Sequence, residues 1–539
     1  MKTQHSKIPI LHLFLLGLCL VLFTYFATTD LALPGPQDDE SHHAVLAIDL
    51  LRPPFPYSPH YTLHFGRQPF PFGVCPHAGA LKAYLLWPLF AFWGPSVELA
   101  RSLNIFFGLL ALAFCFSFVL GHFGHFAAFC ATLLLALDSS FIFYSKIDES
   151  SVIEQIFWLF VLLWAFGRFY RNQRLRDLGI GLSAGILGTY NHITFIWFLV
   201  ASLFVGVLFF PRELSKLFKK KAVYLVIPGA LLILTIFFYW LIGGRKLLFT
   251  RPPGVLGAFV MFERLSTAGG VLPDVLSGRF TDILFIPGIR IRPLTDVLLI
   301  VCPLFLLYQG AFRSRVMRFL FLVAGVILLE ISLTPRTFTL RIHRMFFVYI
   351  FLILLAGVAV AQSGKVLKNF KAHPTKFSLI SLGVVLLTIA SIIGQVSLKQ
   401  EADRRIRQTG GKGFWSDGIY TVAEALEREK WENTVCLDWG YASLIFLTQG
   451  EMPLSPMPWS IYVDQKTKWA KLIQLVHETS PRTLFLLKPS RKPGSPAVTL
   501  QEFKEAVQES GKEARLEHLF CDREGDPLYM AYTIRMKQS

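Results

Sequence analysis

Three carboxylates and two imidazoles crowd into Gln37-Asp38-Asp39-Glu40-Ser41-His42-His43-Ala44, shortly after an apolar run that ends near Thr28. The spacing predicts a helix, on which Asp39 and His43 lie four apart and share a face. Ala44, Leu46, Ala47, Leu50 and Leu51 then offer a packing side. A carboxylate at a membrane surface, with neighbours that tune its pKa, is suited to taking a proton from a hydroxyl or amine nucleophile. The same residues also make an ordinary helix start, because Asp and Glu there satisfy free N–H groups and complement the macrodipole. Spacing alone does not separate the two.

The elements that must hold this cluster are membrane spans. Of 539 residues 53% are hydrophobic and 51 are Phe, gathered in runs of about 18–22, each long enough to cross a hydrocarbon core of ~30 Å as a helix. This is the composition of a mainly α, polytopic membrane protein. Spans are expected at 8–28, 97–120, 126–144, 151–170, 177–191, 193–210, 222–242, 295–311, 317–334, 344–362 and 377–396, eleven in all. A net charge of +17 would point to nucleic acid in a soluble chain. Here Lys and Arg collect in short turns (Arg168, Arg171 and Arg174; Lys219 to Lys221; Arg313, Arg315 and Arg318; Lys365, Lys368 and Lys371), which is the positive-inside pattern. No nucleic-acid motif is present.

That pattern puts the N-terminus in the cytoplasm, with the first run retained rather than cleaved as a signal peptide. The loop 29–84 is then external, as is 243–294. From about Gln400 the composition becomes that of a soluble α/β domain. Helices are expected at 417–430, 468–478 and 501–510, and strands at 434–438, 483–487, 516–521 and 528–535. The division is therefore 1–399, transmembrane, and 400–539, which an odd span count places on the external side. The seven cysteines form no C-x-x-C pair. Cys436 and Cys521 both fall in the external domain, so a disulfide between them is open. There is no Walker motif, GxGxxG, GxSxG or HExxH.

Several segments, in order and on one side, resemble the GT-C class of membrane glycosyltransferases. The likeness is to the glycosyltransferase 39 group, the protein mannosyltransferases and lipid A aminoarabinose transferases that use polyprenyl-phosphate sugars. Asp39-Glu40 followed by Ala44 and Ala47 resembles the first-loop motif. Gly79-Ala80-Leu81-Lys82-Ala83-Tyr84, Phe92-Trp93-Gly94-Pro95-Ser96 and Ala100-Arg101 resemble the end of that loop and the next span. Tyr144-Ser145-Lys146-Ile147-Asp148-Glu149 resembles the second acidic site, and Arg341 to Val360 a late external Arg followed by a span.

The resemblance implies one-step sugar transfer from a polyprenyl-phosphate donor with inversion. The acceptor would be a protein, lipid or glycan on the outer face of the plasma (inner) membrane, and the C-terminal domain would be periplasmic. Asp39 is expected as base, with Glu40 second and Asp148 as supporting carboxylate. Lys82, Arg336, Arg341 and Arg344 are candidates for the phosphate, though Arg341 and Arg344 also suit snorkelling at a span end. His43, Tyr84, Glu149, Asn191 and His192 are further substrate-binding candidates, Asn191-His192 reading equally as a capped turn. Two departures stand out: Gly79-Ala80-Leu81-Lys82 where relatives carry Lys-Pro-Pro-Leu, and His42-His43 in place of an Arg-Tyr pair, which argues against aminoarabinose. Asp39, His42 and His43 are acceptable ligands for a divalent metal, but no cofactor is expected.

The rival functions are a polymerase or ligase of lipid-linked glycans and a transporter or flippase. Transporters place polar groups midway along spans, with broken helices and repeats; here the charges gather at one membrane face. The sidedness is testable. An impermeant thiol reagent applied to intact cells should label both Cys75 and Ser495→Cys, and labelling of only one would overturn the topology.

Overall fold

The structure, a computed structural model, describes residues 10–52, 62–209, 294–333, 342–368, 376–456 and 465–537, apart from short gaps that include 67, 76–77, 148, 150, 311–313, 438–440, 452–453 and 490–497. The expected span 222–242 and the loop 243–294, bar its last residue, lie outside the described residues. The chain divides into two compact units: residues 1–29, 75–79 and 102–402 form one, and residues 30–74, 80–101 and 403–539 the other. The boundary expected at 399/400 falls within one long helix, Lys376–Thr409.

Along the chain come α1 (Ile10–Ala27), α2 (Asp38–Leu51), the antiparallel strands β1 (Thr62–Phe65) and β2 (Gln68–Pro71), the short strands β3 (Gly73–Cys75) and β4 (Ala78–Gly79), and α3 (Leu81–Trp93). The bundle continues with α4 (Val97–Phe123), α5 (His125–Ala136), α6 (Ser139–Lys146), α7 (Val152–Asn172), α8 (Leu175–Asn191) and α9 (Phe195–Phe209). Then follow α10 (Thr295–Tyr308), α11 (Arg315–Leu333), α12 (Ile342–Lys368) and α13 (Lys376–Thr409). Among the described residues five helices are long and apolar enough to cross a membrane, or six if the bent pair α5–α6 is one span. This is a polytopic membrane protein.

In the first unit α12 is central, with 89% of its apolar window buried against 17% for α1. Its approach to α5 is close enough that a Cβ at Gly357 would lie 2.3 Å from Ala131 Cα, the small-residue contact by which membrane helices pack without a hydrophobic drive. The single span expected over 126–144 is broken by a 63° bend. The cause is Asp138, whose carboxylate accepts the Phe141 N–H at 2.8 Å and starts α6 afresh. Tyr349 of α12 donates to the same carboxylate, and Gln395 of α13 accepts the Ser139 N–H at 3.0 Å.

The second unit contains a three-layer α/β fold. Its helices are α14 (Gly418–Glu429), α15 (Tyr441–Leu447), α16 (Gln465–Glu478) and α17 (Leu500–Glu509). Its strands β5 (Asn433–Cys436), β6 (Leu454–Pro456), β7 (Thr483–Leu487), β8 (Lys512–Cys521) and β9 (Pro527–Met536) form one sheet in the order β6-β5-β7-β9-β8. The β5 pairings with β6 and β7 are parallel; β9 runs antiparallel to β7 and β8. Every residue of β7 is buried, as befits a central strand covered on both faces. Phe485 and Leu487 face a core with Leu472, Val476 and Phe503; Leu484 and Leu486 face another with Val422, Leu426 and Leu444.

The sheet order excludes the Cys436–Cys521 disulfide. Both are free thiols, and β5 lies three strand positions from β8, roughly 14 Å, where a disulfide tolerates about 7 Å between Cα atoms.

Helix α17 opens with a reciprocal capping box: the Thr499 hydroxyl accepts the Glu502 N–H at 3.1 Å, and Glu502 accepts the Thr499 N–H at 2.7 Å. Lys468 Nζ donates to both Glu502 oxygens at 2.9 Å. Burial pushes the Glu502 carboxyl up, but the Thr499 amide and the Lys468 ammonium outweigh it and hold the pKa below its ordinary value. The associated stability is therefore present above the unfolded carboxyl's pKa and is lost as pH falls through the lower folded one. Thr499→Ala should destabilise this unit by about 1 kcal/mol, read as loss of hydrogen-exchange protection over 500–509.

Candidate active site

Helix α2 forms where expected, and its cap is Gln37, whose Oε1 accepts the Asp39 N–H at 2.9 Å. That leaves Asp38, Asp39 and Glu40 together in the first turn, favoured by the helix dipole.

Glu40 is fully engaged. Arg101 Nε donates to its Oε1 at 2.6 Å and Nη2 to its Oε2 at 2.9 Å, while Nη1 donates to the Leu31 carbonyl at 2.7 Å. Both side chains of this bidentate pair are buried, at 0% and 2% exposure. Asp38 Oδ1 accepts the Ala442 N–H at 2.8 Å, capping α15, and its Oδ2 is 3.8 Å from His42 Nε2. The Ser41 and Ser443 hydroxyls are 3.2 Å apart. Around them Tyr420 donates to the Ala32 carbonyl at 2.8 Å, and Gly35 N–H to the Trp415 carbonyl at 3.0 Å. A Cβ at Gly35 would come within 2.3 Å of the Ser416 carbonyl oxygen.

Asp39 is half-buried. One turn on, His43 is 2% exposed, and burial together with the charge of Lys82 lowers its pKa well below the ordinary imidazole value. His43 is therefore neutral at pH 7. Lys82 itself, in the first turn of α3, is 1% exposed. Tyr84 donates to the Pro71 carbonyl at 2.7 Å and stacks on Phe70 with ring centres 5.2 Å apart. Asp49, two turns further along α2, is raised by burial to about 7.

The remaining candidates belong to the first unit. His192 forms an antiparallel bridge with Ala78, and its Nδ1 is 2.7 Å from Thr194 Oγ1, which donates to Gln155 Oε1 at 2.8 Å. Gly79 must lack a side chain, because a Cβ would sit 2.4 Å from the Tyr190 carbonyl oxygen. Asn191 is 1% exposed, and among the described residues its amide has no hydrogen-bond partner. Lys146 donates to the Thr29 carbonyl at 2.6 Å, three residues before Glu149. Asp148, Arg336 and Arg341 lie outside the described residues, and of Arg344 only its place in α12 is described.

Sequence reasoning did not foresee the work of Arg101, Asp38, Ser443 or Gln155. Arg101 carried a signal: an ionisable residue in an apolar span is a functional marker by default. Its partner did not, since nothing local distinguishes Glu40 from Asp39. Removing one partner of a buried ion pair leaves an uncompensated charge at a cost of about 3–5 kcal/mol. Arg101→Ala should therefore lower the melting temperature sharply and reduce yield, and an unchanged melting curve would show that the pair holds nothing.

No protein-family model matches the chain, and neither does any curated protein. Among solved structures, the chain aligns over 96% of its length and 97% of the other with ArnT from Cupriavidus metallidurans in the apo state, at a TM-score of 0.59 and 12% identity. The same figures hold for that ArnT bound to undecaprenyl phosphate. An oligosaccharyltransferase from Archaeoglobus fulgidus in the apo form aligns over 84% of this chain and 65% of its own, with a TM-score of 0.46 and 14% identity. In fold, the chain resembles ArnT.

Proposed function

We propose that the protein is an integral-membrane glycosyltransferase that moves a sugar from a polyprenyl-phosphate donor to an acceptor on the outer face of the membrane, with inversion. The observation that carries this is the first turn of α2: Glu40 is locked on Arg101, and Asp39, beside it, shares a helix face with a neutral His43 close to the Lys82 ammonium. The full-length likeness to ArnT, which has been captured with undecaprenyl phosphate, supports a lipid-phosphate donor.

In this scheme the Asp39 carboxylate takes the proton of the acceptor hydroxyl or amine. The freed lone pair forms a bond to the anomeric carbon as the carbon–oxygen bond to phosphate breaks, and polyprenyl phosphate leaves with the electron pair. Lys82 is the cation proposed for that phosphate. His43 cannot share the task as a neutral ring, but it can donate or accept one hydrogen bond. Glu40 serves as anchor rather than base, since Arg101 occupies both of its oxygens. The roles of Tyr84, Asp148, Glu149, Asn191, His192, Arg336, Arg341 and Arg344 rest on the resemblance alone; the count of eleven spans, the transmembrane unit 1–399 and the extracytoplasmic placement of 400–539 rest on the apolar runs and the Lys/Arg pattern of the sequence. No metal is invoked.

Transport is the rival that the broken span would suit. Yet the Asp138 carboxylate that makes the break accepts the Phe141 amide and the Tyr349 hydroxyl, so it closes the bend rather than lining a path.

Asp39→Asn keeps the size and a hydrogen-bonding oxygen and loses the basic carboxylate. Purified protein given a panel of synthetic undecaprenyl-phosphate sugars and membrane extract as acceptor should release undecaprenyl phosphate about 10²–10⁴-fold more slowly in the variant, with melting within the ~1 kcal/mol expected of losing one charge in the first turn of a helix. Normal release by Asp39→Asn together with none by Glu40→Gln would move the base one residue along.

A further inference from the structure

Helix α2 carries its polar contacts on distinct arcs. At about 100° per residue, Asp38, Ser41, Val45, Ile48 and Arg52 fall on one stripe, and residues 441–451 lie along it from end to end. Asp38 caps Ala442, Ser41 meets Ser443, and Arg52 donates to the Gln449 carbonyl at 3.3 Å, with Glu451 3.6 Å away. A Cβ at Gly450 would lie 3.8 Å from Ile48 Cγ2, and Phe446 stacks on Phe90 of α3 at 6.0 Å. Glu40, about 200° round from Asp38, is held by Arg101. Asp39 and His43 lie on the arc between these two holds.

We infer that the segment 441–451 is a positioning element for the acidic helix: with Arg101 it sets the rotation of α2 about its own axis, and so the direction in which Asp39 points. Asp38 and Ser443 act through α2 and touch no substrate. This rests on Asp39 being the base. One clamp fixes position but leaves the helix free to roll about that contact; two clamps on different arcs remove the roll. A roll of roughly 20° carries a carboxylate ~6 Å from the axis through ~2 Å, and a misplacement of about 1 Å is enough to cost ~10² in rate.

The test uses full-length Asp38→Ala, Asp38→Asn and Ser443→Ala, with whichever synthetic undecaprenyl-phosphate sugar of the panel supports turnover. Asn retains an oxygen for the Ala442 N–H, so Asp38→Asn should stay within about 3-fold of the parent. Asp38→Ala should lose about 10–100-fold in kcat per folded molecule at unchanged donor KM, and Ser443→Ala should fall between them. A cap that served stability alone would lower the melting temperature of Asp38→Ala and leave its kcat per folded molecule intact, which would overturn the inference. Equal loss in Asp38→Asn and Asp38→Ala would overturn it too, since the charge would then be what matters.

A readout without turnover separates this inference from the assignment of the base. The alkylation rate of Asp39→Cys by a maleimide should change several-fold in the Asp38→Ala background and not in Asp38→Asn, as expected of a local release. An unchanged rate in both backgrounds sinks the clamp whatever Asp39 does. A changed rate alongside full activity of Asp39→Asn would show the clamp to be real and would refute only the claim that it aims a base.

Discussion

A guanidinium with no access to water needs a counter-charge and a partner for each of its donors. Arg101 meets both conditions with Glu40 and the Leu31 carbonyl, and much of the second unit depends on that arrangement. The pair joins the start of α4 to the first turn of α2, two segments that no hydrophobic pattern would bring together. Because the bond is bidentate it fixes how the guanidinium and the carboxylate face each other as well as their distance. Such a pair adds little net stability compared with apolar packing; its use here lies in specifying one geometry for a helix whose neighbouring carboxylate is proposed to do chemistry.

The acidic turn therefore divides labour among residues of nearly the same chemistry. Asp38 accepts an amide, Glu40 accepts a guanidinium, and Asp39 stands between them. Environment sets these roles. Burial beside a lysine likewise holds the His43 imidazole well below its ordinary pKa. The division of labour also explains why the cluster first reads as an unremarkable helix start. Two of its three acids do perform the duties of caps and anchors, though for partners far away in the chain.

What was legible in the sequence follows the range of the forces involved. The strand 483–487 was readable because a run of Thr-Leu-Phe-Leu-Leu buries on both faces wherever it is placed. The helices expected at 417–430, 468–478 and 501–510 form at 418–429, 465–478 and 500–509, while the capping box at Thr499 went unread. Asp138 was hidden because hydropathy averaged over a span conceals one capping residue, although Asp-Ser-Ser is a start signal when read locally. Helix α15 was missed for a different reason: its Ala442 amide is capped by Asp38, 404 residues away, a partner that no local pattern reveals. The Glu40 anchor was illegible in the same sense, being decided by Arg101.

The second unit draws on three stretches of chain, 30–74, 80–101 and 403–539, and this has a consequence for biogenesis. A ribosome adding ~5–20 residues per second needs roughly 20–80 s to pass from Asp38 to Ala442. Throughout that interval the acidic helix exists without its cap partner, while the apolar helices that follow it are being made. A chain that stops short of residue 441 would carry a finished set of apolar helices and an unaimed carboxylate. Under the proposed function, the base would therefore be held in its direction only once residues 441–451 have joined the second unit.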